Sequence, residues 1–149
     1  MRYCFLIISF LICAFAQPAW IGEFGFFASA FGYALFWKAA LEFVNVRKRF
    51  LISFFWFAAS QGFQLSWLAT TDYMGALIIP FYLFLIIGLG LQFAILSHFV
   101  RAPLSWMLIF ALSGGWVLCE FSRLYFLCGY TWNPLGLALA GSDASLQLA

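Results

Sequence analysis

The sequence predicts an all-α integral membrane protein: a bundle of about five transmembrane helices with its N-terminus in the cytoplasm. Three observations carry that reading. Of 149 residues, 66% are hydrophobic and 8% charged, where soluble domains carry about 25% charged residues. The apolar residues fall into five runs separated by short polar breaks, and the basic residues gather at alternate breaks. A soluble domain of this size leaves too much surface in water to hide so large an apolar fraction. With 23% aromatic residues and a mean hydropathy of +1.04, the chain reads as one whose solvent is lipid.

The predicted spans are about 3–16, 20–37, 50–68, 76–96 and 104–121. Each is expected to be helical, since lipid offers no partner for exposed backbone groups. The last four have the roughly 17–25 residues a crossing needs. The first, Tyr3 to Ala16, is shorter. Its Arg2, apolar centre and Ala14-Phe15-Ala16 mimic a cleavable secretory leader. Whether it is removed or retained, the second run begins on the outer side. Pro103 is expected in the first turn of the fifth helix, where a missing N–H costs little, and Pro80 near the outer start of the fourth. Small residues four apart, Gly25/Ser29, Ala28/Gly32 and Ala58/Gly62, read as sites of close helix approach. Trp20, Trp37, Trp67, Tyr73 and Trp106 lie near run ends, as an interfacial belt requires.

Orientation follows from the cations. An inside N-terminus puts Arg2, Lys38, Arg47, Lys48, Arg49 and Arg101 in the cytoplasm, six of the seven basic residues. The reverse arrangement would put those six outside, against the positive-inside rule. Residues 17–19, 70–75 and everything after about 126 then face outward. The net charge of +2 is too small and scattered for a nucleic-acid surface. Cys4, Cys13, Cys119 and Cys128 form no C-x-x-C pair, and the single His98 reads as an interfacial residue. No metal or cofactor is predicted.

One stretch departs from generic membrane filler: residues 116–136, WVLCEFSRLYFLCGYTWNPLG. Glu120 and Arg123 are three apart, so on a helix they share a face and can pair. The plain alternative is an interfacial ion pair that fixes helix depth. The functional one is a polar patch at the outer leaflet that meets a lipid headgroup or an external domain. Beyond it, Gly129 to Pro134 joins turn formers to the rings of Tyr130 and Trp132. Glu120, Arg123, Tyr130 and Trp132 are therefore the candidate substrate-binding residues.

The pattern W-x-x-x-E-x-x-R followed by G-[FY]-x-W-x-x-x-G resembles the hallmark of the bacterial apolipoprotein N-acyltransferases. Here it is Trp116, Glu120, Arg123, Gly129, Tyr130, Trp132 and Gly136; Tyr130 and Thr131 stand where the family usually shows Phe-Pro. Residues 15–20, FAQPAW, resemble the family's turn after its first span, the run with Gly62, Gln64 and Trp67 resembles its third span, and the closing Gln147-Leu148-Ala149 looks like the lead-in to its next helix. The resemblance implies transfer of an acyl chain from a phospholipid to the α-amino group of a lipoprotein's diacylglyceryl-cysteine. It implies a bacterial inner (cytoplasmic) membrane location, with a phospholipid donor and a diacylglyceryl-lipoprotein acceptor as partners. It also implies a thioester route through a nitrilase-like domain with a Glu-Lys-Cys triad. The only lysines here, Lys38 and Lys48, belong to the cytoplasmic segment, and no cysteine is flanked like that nucleophile. No catalytic residue is therefore assigned. The expectation is the N-terminal membrane portion of such an enzyme, inactive alone, as a fragment, a truncated product or half of a split protein. Arg123 would contact a lipid phosphate or order the loop, while Tyr130 and Trp132 line the way in.

Two other classes compete. A small multi-spanning transporter component would place polar residues near the midplane and show related halves. The span interiors here are apolar apart from Gln61, Gln64 and Gln92, and no internal symmetry is visible. A non-catalytic membrane scaffold is the third reading.

Overall fold

The computed structural model of the chain describes residues 1–16 and 28–126. Every regular element among them is helical. Helix α1 covers Arg2–Ala16. Helix α2, Tyr33–Leu41, continues a π-helical turn at Ala28–Gly32. Helices α3, α4 and α5 cover Val46–Gln64, Ile78–Phe99 and Trp106–Phe126.

The helix starts follow capping chemistry. The Asn45 side chain accepts from the amides of Arg47 (2.9 Å) and Lys48 (3.2 Å), satisfying two N–H groups that a helix start leaves open. For α5 the structure corrects the sequence expectation. Pro103 precedes the helix, and Ser105 stands at its start, its Oγ accepting from the Leu108 amide at 3.2 Å. A hydroxyl that answers an orphan N–H fixes the boundary better than a proline, which merely tolerates it. Between α3 and α4 the chain turns through Ser66–Leu68, a short helical turn Thr71–Met74 and Gly75–Leu77. Gly75 takes a φ of +60°, a conformation a side chain would strain.

Among the described residues two helices are long and apolar enough to cross a membrane, Gly75–Phe99 and Trp106–Tyr125. The others fall short for visible reasons. The 15 residues of α1 extend about 22 Å at 1.5 Å per residue, less than a hydrocarbon core of roughly 30 Å. Helix α3 spends its first turn on Arg47, Lys48 and Arg49. The second predicted run is described only from Ala28 onward.

The core forms where α3 and α4 run antiparallel and in close contact. Tyr33, Phe36, Trp37, Trp56, Phe57, Phe93 and Trp116 pack ring to ring from four helices. Phe93 stacks on Phe57 with centroids 4.5 Å apart and planes 11° from parallel. It also meets Phe36, Trp37 and Trp116 at 5.1, 5.0 and 5.5 Å. Close backbone approach at Gly90 makes this packing possible. Farther along the same pair, an apolar cleft of about 450 Å³ opens, lined by Phe55, Ala58, Gly62, Phe63, Tyr82 and Ile86 among others.

Side chains donating to backbone carbonyls hold α1 against this core. Trp56 Nε1 donates to Leu6 O (3.3 Å), Ser9 Oγ to Gly32 O (2.8 Å) and Gln64 Nε2 to Cys13 O (2.7 Å). Gln61 Nε2 donates in turn to Gln64 Oε1 at 2.9 Å. Polar side chains in an apolar bundle find partners across helices in this way. Cys13 and Ala14, at the leader-like end of α1, are fully buried.

At the opposite end, cations rest on aromatic faces. The Arg2 guanidinium and the Lys48 ammonium lie 4.9 and 5.6 Å from the Phe43 ring centroid, and Lys38 lies 5.0 Å from that of Phe5. Three cations that the charge distribution assigns to one side of a membrane thus gather at one end of the bundle. Arg49 Nε and Ser53 Oγ, one turn apart on α3, are buried and make no hydrogen bond among the described residues.

Candidate functional site

The candidate site begins with helical spacing. Trp116, Glu120 and Arg123 stand at i, i+4 and i+7 of α5, so a period of 3.6 brings them onto one face. That face turns toward α4. Trp116 inserts its ring edge-on against Phe93 and Phe57, with centroids 5.5 and 5.3 Å away. The indole then organises the two charges. Its Nε1 donates to Glu120 Oε1 at 2.8 Å, and its face lies 5.7 Å from the Arg123 guanidinium carbon. The electron-rich face attracts the cation and the N–H edge serves the carboxylate, so one ring answers both signs.

The fourth member comes from α4. Arg123 Nε donates to Gln92 Oε1 at 2.9 Å. The Gln92 amide nitrogen faces Ser122 Oγ (3.2 Å) and the Cys119 carbonyl (3.4 Å), and Ser122 Oγ itself donates to that carbonyl at 2.7 Å. The amide has one sensible orientation, because the guanidinium can only donate and the carbonyl can only accept. A hydrogen bond involving a charged group is worth about 1.5–3 kcal/mol, and a desolvated cation over an indole about 2 kcal/mol. These contacts hold the polar end of α5 on α4 despite the outward exposure of Val117, Leu118, Phe121 and Tyr125.

Arg123 is 3% exposed, and its contact on α4 lies nearer Phe99 than Ile78. The polar group is thus set into the side of the bundle. The sequence expectation was that Glu120 and Arg123 share a face and can pair. Among their described contacts, Glu120 accepts from Trp116 and Arg123 donates to Gln92. The other two candidates, Tyr130 and Trp132, lie outside the described residues, as do Gly129 and Gly136. Sequence reading counted Gln92 only as a polar exception within a span. The available clue was that a lone amide in an apolar helix needs a partner. Among the described residues no three His, Cys, Asp or Glu side chains group to hold a metal, and His98 sits exposed beside Phe99 near the end of α4.

Comparison with known proteins supplies the context. Residues 5–149 match the profile of the apolipoprotein N-acyltransferase N-terminal domain. The chain is 32% identical over 154 residues to the apolipoprotein N-acyltransferase of Chlamydia pneumoniae, covering 97% of this chain and 28% of that protein. The proteins of the same name from Chlamydia muridarum and Chlamydia caviae are 31% and 33% identical, over 94% and 96% of this chain and 27% and 29% of theirs. The chain thus spans a little over a quarter of the length of these curated relatives. No solved structure gives a significant match.

Proposed function

This chain belongs to the apolipoprotein N-acyltransferase family, and from that premise we propose that it forms the membrane-embedded part of an enzyme that acylates lipoproteins. In this reading an acyl chain passes from a phospholipid to the α-amino group of a diacylglyceryl-cysteine in the bacterial inner membrane. The nucleophile, base and oxyanion stabiliser belong to a nitrilase-like domain, carried by the same polypeptide or a separate one. The described residues contribute a framework of up to five spans, N-terminus inside, that holds the acyl-bearing substrates near that domain.

The observation that carries the reading is the convergence of the motif residues Trp116, Glu120 and Arg123 with Gln92. Of the two roles open to Arg123, its burial favours ordering the chain that follows α5 over direct contact with a headgroup. Tyr130 and Trp132, a few residues farther on, are then the groups that meet the substrates. The apolar cleft between α3 and α4 offers a place for an acyl chain.

The test uses the full-length gene product in phospholipid vesicles, with a diacylglyceryl lipopeptide as acceptor and mass spectrometry as readout. Removing one partner of a charged hydrogen bond costs about 1.5–3 kcal/mol, or roughly 10–100-fold in rate if that energy serves the transition state. Arg123→Ala and Glu120→Leu are expected to slow transfer on that scale at normal membrane levels. Unchanged transfer in Arg123→Ala would remove the assigned role.

A further inference from the structure

Gln92 belongs to no motif, yet its side chain joins α4 to α5. Its carboxamide makes three contacts, all across the seam: Oε1 to Arg123 Nε at 2.9 Å, and Nε2 to Ser122 Oγ and Cys119 O at 3.2 and 3.4 Å. A carboxamide accepts from the guanidinium through its oxygen while its nitrogen donates toward a backbone carbonyl, and the amide of asparagine is one methylene shorter. A carboxylate could hold the arginine but would turn an acceptor toward the Cys119 carbonyl. An aliphatic chain could do neither.

We propose that Gln92 is the positioning residue for Arg123: a neutral amide on α4 that fixes where the cation sits along the α4–α5 seam, and through it where the chain leaves α5. The inference rests on the reading of Arg123 given above. Gln92 touches no reacting atom and acts only through its neighbour. Trp116 packs α5 against Phe93 and Phe57, while Val117, Leu118 and Phe121 face outward. The indole restrains the cation by a face, which permits sliding. The hydrogen bond from Nε to Oε1 is directional and does not.

A double-mutant cycle decides the matter. Gln92→Leu, Arg123→Ala and the double variant are made in the full-length gene product, and initial transfer rates from phospholipid to a diacylglyceryl lipopeptide are measured beside the parent. If Gln92 acts through Arg123, Gln92→Leu alone slows transfer by about 10-fold, the scale of a charged hydrogen bond. Added to Arg123→Ala, it slows transfer by less than about 2-fold more. Gln92→Glu, which keeps an acceptor for Arg123, is expected to transfer faster than Gln92→Leu. That recovery also covers the case in which the leucine variant fails to fold. Two defects that multiply would overturn the positioning role while leaving the reading of Arg123 intact. An Arg123→Ala variant with parental activity would overturn that reading, and this inference with it.

Discussion

A Cβ placed on Gly90 of α4 would lie 2.9 Å from the Cβ of Ala58 on α3, and 3.1 Å from the Phe54 carbonyl oxygen. Neither is the free end of a flexible side chain, so the two helices can approach this closely only while position 90 lacks a side chain. Gly90→Ala is therefore expected to part α3 from α4 and cost about 1–3 kcal/mol, the usual range for overpacking. Gly114 on α5 has nothing within 4 Å of the same construction. Gly114→Ala should be neutral or gain up to about 1 kcal/mol from helix propensity. Thermal unfolding of both variants in detergent, followed by circular dichroism, gives the comparison. Equal shifts would show that position 90 is not tightly packed.

Phe93 meets Phe36, Trp37, Phe57 and Trp116 at once. Truncation there opens a cavity bordered by four helices. Phe93→Ala should destabilise by about 3–5 kcal/mol, and Phe93→Leu by clearly less. A loss no larger than that of an exposed residue such as Phe84→Ala would contradict the described core.

Gln64→Leu breaks the bond to the Cys13 carbonyl and leaves the buried Gln61 amide without the acceptor it has now. An unsatisfied buried donor costs about 1–3 kcal/mol. The loss should be shared: once Gln64 is leucine, Gln61→Leu should cost little more, or partly restore stability. Unfolding midpoints of the two single variants and the double variant would show whether the pair behaves as one unit.

Ser53 gives the opposite sign. Its Oγ is buried with no hydrogen bond among the described residues. A hydroxyl in that state costs more than a methyl group. Ser53→Ala should raise the unfolding midpoint, by roughly 1 kcal/mol in stability. A clear loss of stability would mean that the hydroxyl has a partner, such as a bound water.

The proposed orientation makes its own prediction. Arg47 and Asp72 are both exposed and lie at opposite ends of α3 and its outgoing turn. In a background without reactive native thiols, Asp72→Cys should react with an impermeant maleimide on intact spheroplasts. Arg47→Cys should react only after the membrane is opened. The reverse pattern would invert the topology.

The family was legible from the motif, because Trp116, Glu120 and Arg123 keep a spacing that means something only on a helix face. All-helical architecture was legible too, since composition left no soluble alternative. Span count was harder to read. A run of apolar letters does not reveal that α1 is about one turn short, or that three cations occupy the first turn of α3. The start of α5 was misplaced because Pro103 is conspicuous in sequence, whereas the capping bond of Ser105 exists only once the amide of Leu108 turns toward it.

By itself the sequence determined the apolar character of the chain, its helical class and the face that carries the motif. Each of these depends on composition, or on residues within a few positions of one another. Tertiary structure alone decided that Arg123 meets Gln92, 31 positions away on another helix. An arginine and a glutamate on one face can pair with each other or with whatever a second helix presents. What the second helix presents depends on how α5 seats on α4, where Trp116 packs against the ring of Phe93.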